Sequence, residues 1–180
     1  MGSLNGQKVA MIIAHEGFRD EELSVPLEMF KREGAEVKIA SSSLDMAKGK
    51  LGMTVKPDVL YSNINVKDYD AIVFVGGPGS TQYWDDPVAH RIAKDAVSLG
   101  KVLAAICAAP PILANAGVLK RKRATCFPSD EGPLIAGHAQ YTAKAVEADG
   151  TIVTGNGPQS AGIFAKEIVR LLGNKKGENR

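Results

Sequence analysis

Short apolar runs, amphipathic stretches and clusters of Gly, Asn, Asp and Ser alternate along this chain. Residues 8–14, Lys-Val-Ala-Met-Ile-Ile-Ala, carry no charge after Lys8. A run of that length predicts a central strand covered on both faces. The polar loop 15–20 follows, and Asp20 is placed to N-cap a helix from Glu21 to about Gly34. Leu23, Leu27 and Phe30 share one face of that helix, and Gly34 ends it. Residues 35–41 alternate and give a second strand, which completes a βαβ unit. Residues 42–69 lack helical spacing; an irregular excursion is expected there, with short strands near Leu51–Val55 and Val59–Tyr61. Ala71–Val75 is a third buried strand, running into Gly76-Gly77-Pro78-Gly79. Asp86-Pro87 opens a helix to about Leu99, and Gly100 stops it. The fourth strand is 101–106, and after Cys107 a helix is expected to about Ala116. Residues 124–127, 143–146 and 151–154 read as short strands. The last helix, 158–172, is amphipathic through Phe164, Ile168, Leu171 and Leu172. Residues 1–6 and 174–180 are expected to be flexible.

This alternation predicts a single α/β domain over 1–180: a flavodoxin-like three-layer α/β/α sandwich with a mostly parallel central sheet. Sites in such sheets form outside the carboxyl ends of the strands. The loops 15–20, 76–80 and 107–109 all lie there, so distant parts of the chain converge on Cys107. Composition narrows the function. The net charge of +2 gives no reason to expect nucleic acid or a membrane surface as partner. The basic run Lys120–Arg123 has no aromatic platform beside it and reads as a solvated turn. No apolar stretch is long enough to cross a bilayer, and Met1–Gly6 lacks the pattern of a signal peptide. Two cysteines, Cys107 and Cys126, do not make a secreted disulfide framework, so a reducing, cytoplasmic setting is expected.

Cys107 ends an apolar strand and precedes Ala108-Ala109-Pro110-Pro111. Prolines fit a helix only in its first turn, so the cysteine should occupy a sharp strand-to-helix turn. The N–H groups and dipole of the following helix are then expected to lower its pKa and make it a nucleophile. The alternative is an inert, buried cysteine. Gly77, with the N–H of Cys107 or Ala108, would form an oxyanion hole; the plainer reading is a tight turn. Glu22 falls at the border of its helix's apolar face, where partial desolvation raises a carboxylate's pKa and suits it to acid–base work. Otherwise it is a first-turn glutamate favoured by the helix dipole. Of the three histidines, His15 follows the first strand and is the one able to reach the site. No metal-ligand spacing is present, and no metal or cofactor is expected.

Five stretches in this order resemble the DJ-1/PfpI superfamily over nearly the whole chain. They are Gly17-Phe18-Arg19-Asp20-Glu21-Glu22 followed by Pro26; Val75-Gly76-Gly77-Pro78-Gly79; Ala104-Ala105-Ile106-Cys107-Ala108-Ala109-Pro110; Ala124-Thr125-Cys126-Phe127-Pro128; and Thr154-Gly155-Asn156-Gly157-Pro158. The resemblance implies a reactive cysteine at Cys107, a glutamate partner at Glu22 and an oxyanion glycine at Gly77. The protease-like branch has a histidine directly after the cysteine, where this chain has Ala108, so the resemblance is closer to the DJ-1-like branch. That branch often carries a histidine at the position of Phe127. Glutamine amidotransferases of related fold need a late His-x-Glu pair, and no histidine follows His138. The resemblance implies a cofactor-free glyoxalase or deglycase, with a small aldehyde or a glycated protein as substrate, acting in carbonyl or oxidative stress as a homodimer. The alternatives it leaves are a redox-sensing stress protein oxidised at Cys107, and a cysteine peptidase or chaperone.

Overall fold

The structure, a computed structural model, describes residues 2–179. Its strands in chain order are β1 (Lys8–Ile12), β2 (Glu16–Phe18), β3 (Glu36–Ser41), β4 (Ala47–Gly49), β5 (Thr54–Val55), β6 (Val59–Leu60), β7 (Ala71–Phe74), β8 (Val102–Ile106), β9 (Arg123–Ala124), β10 (Gln140–Tyr141), β11 (Val146–Asp149) and β12 (Ile152–Gly155). Its helices are α1 (Asp20–Arg32), α2 (Pro87–Ser98), α3 (Pro110–Asn115), α4 (Glu131–Ala136) and α5 (Ala161–Glu178).

The apolar runs form the central sheet, in the order β11-β12-β8-β7-β1-β3-β6. Every neighbouring pair is parallel except the β11–β12 hairpin. The inner order β3-β1-β7-β8-β12 follows the flavodoxin pattern, in which the chain leaves the first strand in one direction and returns on its other side. Leu23 and Phe30 of α1 join Phe164 and Ile168 of α5 on one face of the sheet. Ile92 of α2 and Ile112 and Leu113 of α3 cover the other. The sheet therefore lies between two apolar layers, which accounts for strands that are apolar on both faces.

Several expectations need correction. The loop 15–20 contains β2, which pairs with β4, and β4 pairs with β5 in a small separate sheet. Strands this short and polar leave no periodicity to read. Asp20 is not the cap of α1; Arg19 holds that position, without a side-chain cap bond. The Asp20 carboxylate instead accepts the N–H groups of Leu51 (3.0 Å) and Met53 (2.8 Å), fixing the turn after β4. The strand expected at 143–146 is broken by Ala143, whose φ of 57° is left-handed, and β9 stops at Ala124. Helix α4 has no counterpart among the predicted elements, because Gly132 and Pro133 sit inside it.

Leu4 is fully buried and its N–H donates to the Glu33 carbonyl at 2.8 Å. Helix α5 runs on to Glu178, where Lys176 Nζ donates to the Asn5 carbonyl at 2.7 Å and Lys175 Nζ to the Gly100 carbonyl. Met1 and Arg180 lie outside the described residues. Among the described residues no helix is long and apolar enough to cross a membrane, and no group of three or more His, Cys, Asp or Glu is placed to hold a metal ion.

Candidate active site

Cys107 immediately follows β8, at the carboxyl edge of the sheet, with a φ of 64°. A left-handed conformation costs a residue with a Cβ roughly 1–2 kcal/mol, so the surrounding structure must hold it. Its N–H donates to the Gly155 carbonyl (2.9 Å), and its own carbonyl accepts the Phe127 N–H (2.8 Å). One residue on, the Ala108 carbonyl accepts the indole Nε1–H of Trp84 at 2.7 Å. Three segments thus pin a single turn. The strain is placed where the thiol must face a pocket and not the core.

The loops after β1 and β7 complete the site. The Gly76 carbonyl accepts the Arg19 N–H at 2.9 Å, joining the Gly-rich turn to the start of α1. A Cβ on Gly76 would lie 2.5 Å from Glu22 Oε1 and 2.7 Å from Cys107 Cβ. Only a glycine lets the carboxylate and the thiol close in on the same point. Gly77, at φ +107°, is equally constrained, since a Cβ there would meet the Arg19 nitrogen at 2.3 Å.

Glu22 is fully buried, deeper than the border position its helical phase predicts. Neither of its oxygens has a hydrogen-bond partner of ordinary geometry. Burial raises its carboxyl from 4.5 to about 7, against the steadying effect of the Cys107 thiol, the Arg19 charge and the Gly76 N–H. Burial also pushes the Cys107 thiol up to about 12, helped by the neighbouring Glu22 carboxylate. The N–H groups of Gly77 and Ala108 act in the opposite sense. This corrects the expectation of a thiol activated by a helix. Helix α3 has only six residues and opens on two prolines that have no N–H, and the Ala109 N–H is taken by the Ile106 carbonyl. Cys107 and Glu22 form one unit: two anions side by side in a buried site are disfavoured, so the pair does not give up both protons together.

Cys107 and Ala108 open into a pocket of about 500 Å³. Gly77, Phe127 and the charged side chains of Arg19 and Lys50 also line it. Glu22 stands behind the cysteine and not in the pocket wall. His15 is not brought to the pocket: it ends the segment after β1, its carbonyl accepts the Lys48 N–H (2.9 Å), and its Nδ1 is buried without a partner. Cys126 is fully buried and packs in the apolar layer on the other face of the sheet. Its thiol donates to the Phe127 carbonyl at 3.3 Å. Sequence reasoning missed Arg19, Lys50 and Trp84. Arg19 lies inside the first of the five family-like stretches, but Lys50 and Trp84 enter only through contacts between distant segments.

The sequence model of the DJ-1/PfpI family matches residues 7–171. The chain belongs to that family. Among relatives of this DJ-1/PfpI protein, the deglycase PfpI of Pyrococcus furiosus is 33% identical over 165 residues, covering 92% of this chain and 99% of its own. A glutathione-independent glyoxalase of Caenorhabditis elegans is 31% identical over 167 residues, covering 92% of this chain and 89% of its own. The crystal structure of a ThiJ/PfpI domain protein from Brachyspira murdochii superposes with a TM-score of 0.91 at 33% identity, over 94% of this chain and 99% of that one. Drosophila melanogaster DJ-1beta superposes with a TM-score of 0.84 at 30% identity, over 94% of this chain and 92% of that one. PfpI-type and DJ-1-type relatives therefore match at similar identity. Overall likeness does not assign this DJ-1/PfpI chain to one branch, contrary to the closer DJ-1 resemblance read from Ala108.

Proposed function

We propose that this protein is a cofactor-free, cysteine-dependent enzyme acting on reactive carbonyls, in the manner of a glyoxalase or deglycase. The observation that carries this reading is the buried, unpartnered Glu22 carboxyl set against Cys107, with a pKa raised to about 7. A group poised there both accepts and returns a proton near neutral pH. With a 2-oxoaldehyde, Cys107 Sγ adds to the aldehyde carbon and its proton passes to Glu22. Glu22 then protonates the carbonyl oxygen, which the N–H groups of Gly77 and Ala108 steady, and a hemithioacetal results. The Glu22 carboxylate next removes the proton on that carbon and delivers it to the neighbouring one, while the hydroxyl proton passes to the neighbouring carbonyl oxygen. This leaves a thioester with a hydroxyl beside it. Water cleaves the thioester, releasing the 2-hydroxy acid and the free thiol. The relatives named deglycase and glyoxalase support the same chemistry. The absence of a histidine after Cys107 favours it over peptide hydrolysis.

The test is lactate formation from methylglyoxal. Cys107→Ser abolishes it, and Glu22→Gln lowers kcat/KM by about a hundred- to ten-thousand-fold, the worth of general acid–base help. His15→Ala has a small effect. Activity of Glu22→Gln close to wild type would show that Glu22 does not carry the proton. A wild-type protein inert toward a range of aldehydes would favour the second reading, a redox-sensing protein. The same protonated Glu22 would then stabilise a sulfinate on Cys107.

A further inference from the structure

The pocket is far larger than methylglyoxal requires, and its charge is unevenly placed. Its volume of about 500 Å³ lies in the range that holds drug-sized ligands. Arg19 and Lys50 both line it and come from segments tied together: the Lys50 N–H donates to the Phe18 carbonyl at 2.8 Å, directly before Arg19 in the chain. The adjoining Asp20 carboxylate holds the backbone of Leu51 and Met53, which fixes the turn carrying Lys50. Arg19 Nε and Nη2 donate to Glu21 at 2.6 and 3.4 Å, which orients the guanidinium while its Nη1 takes no part in that pair. Asp130 is the one acidic side chain in the lining, and it comes from the turn after Phe127. The hydrogen bond to Glu21 keeps the Arg19 guanidinium firmly charged, and the charges of Glu22 and Cys107 act on it in the same sense. Arg19 is thus within electrostatic reach of the reacting sulfur.

We infer that the pocket selects carbonyl compounds bearing an anionic group, a carboxylate or a phosphate, which Arg19 and Lys50 hold while Cys107 attacks. This rests on Cys107 being the nucleophile proposed above. Charge-assisted hydrogen bonds to a guanidinium supply both affinity and orientation. Neither cation takes part in the proton transfers assigned to Glu22; together they set which carbonyl arrives.

The inference is tested without turnover, by comparing alkylation of Cys107 by iodoacetate and by iodoacetamide. The reaction is the same for both: the Sγ–C bond forms, the C–I bond breaks, iodide leaves and the thiol proton goes to the Glu22 carboxylate. Only the charge of the reagent differs. Mass mapping of the Cys107 peptide gives the two rates, and the unfolded chain in denaturant supplies the reference ratio. The folded protein should raise the iodoacetate-to-iodoacetamide ratio about tenfold or more, with an iodoacetate rate that saturates. Arg19→Gln should return the ratio toward the reference. Lys50→Gln, on an exposed side chain with no fold to disturb, should lower it part-way, and added salt should lower it in the wild type. Inorganic phosphate and propionate should each protect Cys107 from iodoacetate, and their relative strengths rank the two head groups. A folded-state ratio equal to the reference, or one that salt and Lys50→Gln leave unmoved, overturns the anion site. A raised ratio without any carbonyl turnover sustains the site and defeats the proposed reaction; turnover with a flat ratio does the reverse.

Discussion

Glu22→Gln should make the protein more stable at alkaline pH while disabling it. The carboxyl of Glu22 is raised by burial from 4.5 to about 7. Below pH 4.5 it is protonated in both the folded and unfolded chain, and contributes no pH dependence. Between pH 4.5 and 7 the unfolded chain ionises while the folded chain keeps its proton. The folded state then binds more protons, and stability falls as pH rises. Above pH 7 the loss is complete. At 1.36 kcal/mol per pH unit, it amounts to about 3 kcal/mol. Glutamine has nearly the same shape and no charge, so it avoids that loss. For a domain of this size the melting temperature of Glu22→Gln at pH 8 should exceed wild type by about 6–12 °C. The two proteins should converge near pH 4.5. Thermal unfolding followed by circular dichroism across this pH range is the assay. Equal melting temperatures at pH 8, or a gap that does not close in acid, would refute the argument that Glu22 is held at a cost to the fold.

Glu22 acting as a base toward the Cys107 thiol has a kinetic signature: iodoacetamide labelling of Cys107 should rise with pH through a step near 7. Glu22→Gln should lack that step, and Cys126, fully buried with its thiol tied to the Phe127 carbonyl, should label far more slowly throughout. Peroxide should take Cys107 to a sulfinate without a disulfide to Cys126, since the two thiols belong to opposite faces of the sheet; a dominant intramolecular disulfide in intact-mass spectra would contradict this. The exposed Leu44, Met46 and Leu51 of the excursion after β3 are suited to cover a second copy. Sedimentation is expected to give a homodimer, and a monomer at micromolar concentration would remove that expectation.

The parts of the fold readable in the sequence are those governed by repeated burial. Strands β1, β7 and β8 announce themselves as uncharged runs because both faces meet helices. Helix α2 does so through Asp86, whose carboxylate accepts the Ala89 N–H at 3.0 Å as a true cap. Asp20 offers the same local signal and is drawn away by the backbone of Leu51 and Met53, a partner more than thirty residues distant that no local rule contains. The site divides in the same way. Cys107 and Gly76-Gly77 are legible because a strand end, prolines and glycines restrict the backbone there. The depth of Glu22 is not, since it depends on how closely α1 approaches the Gly-rich turn. The state of the thiol is also beyond local reading. A helix start suggests a stabilised thiolate, but the prolines that signal that start also remove its N–H donors.

Trp84 is the only tryptophan in the chain, and its Nε1–H is bound to the carbonyl of Ala108. The remainder of its neighbourhood is equally fixed, with its own carbonyl engaged by His90 Nε2 at 2.7 Å and Asn115 Nδ2 at 3.0 Å. An indole held this way is an optical probe wired to the residue after Cys107. Adduct formation at Cys107, or a change in charge there, alters the pull of that carbonyl on the indole hydrogen and so the wavelength and intensity of ultraviolet emission. Adduct formation or oxidation at Cys107 can therefore be followed by stopped-flow fluorescence of the native chain, with no label attached and no other tryptophan to obscure the signal.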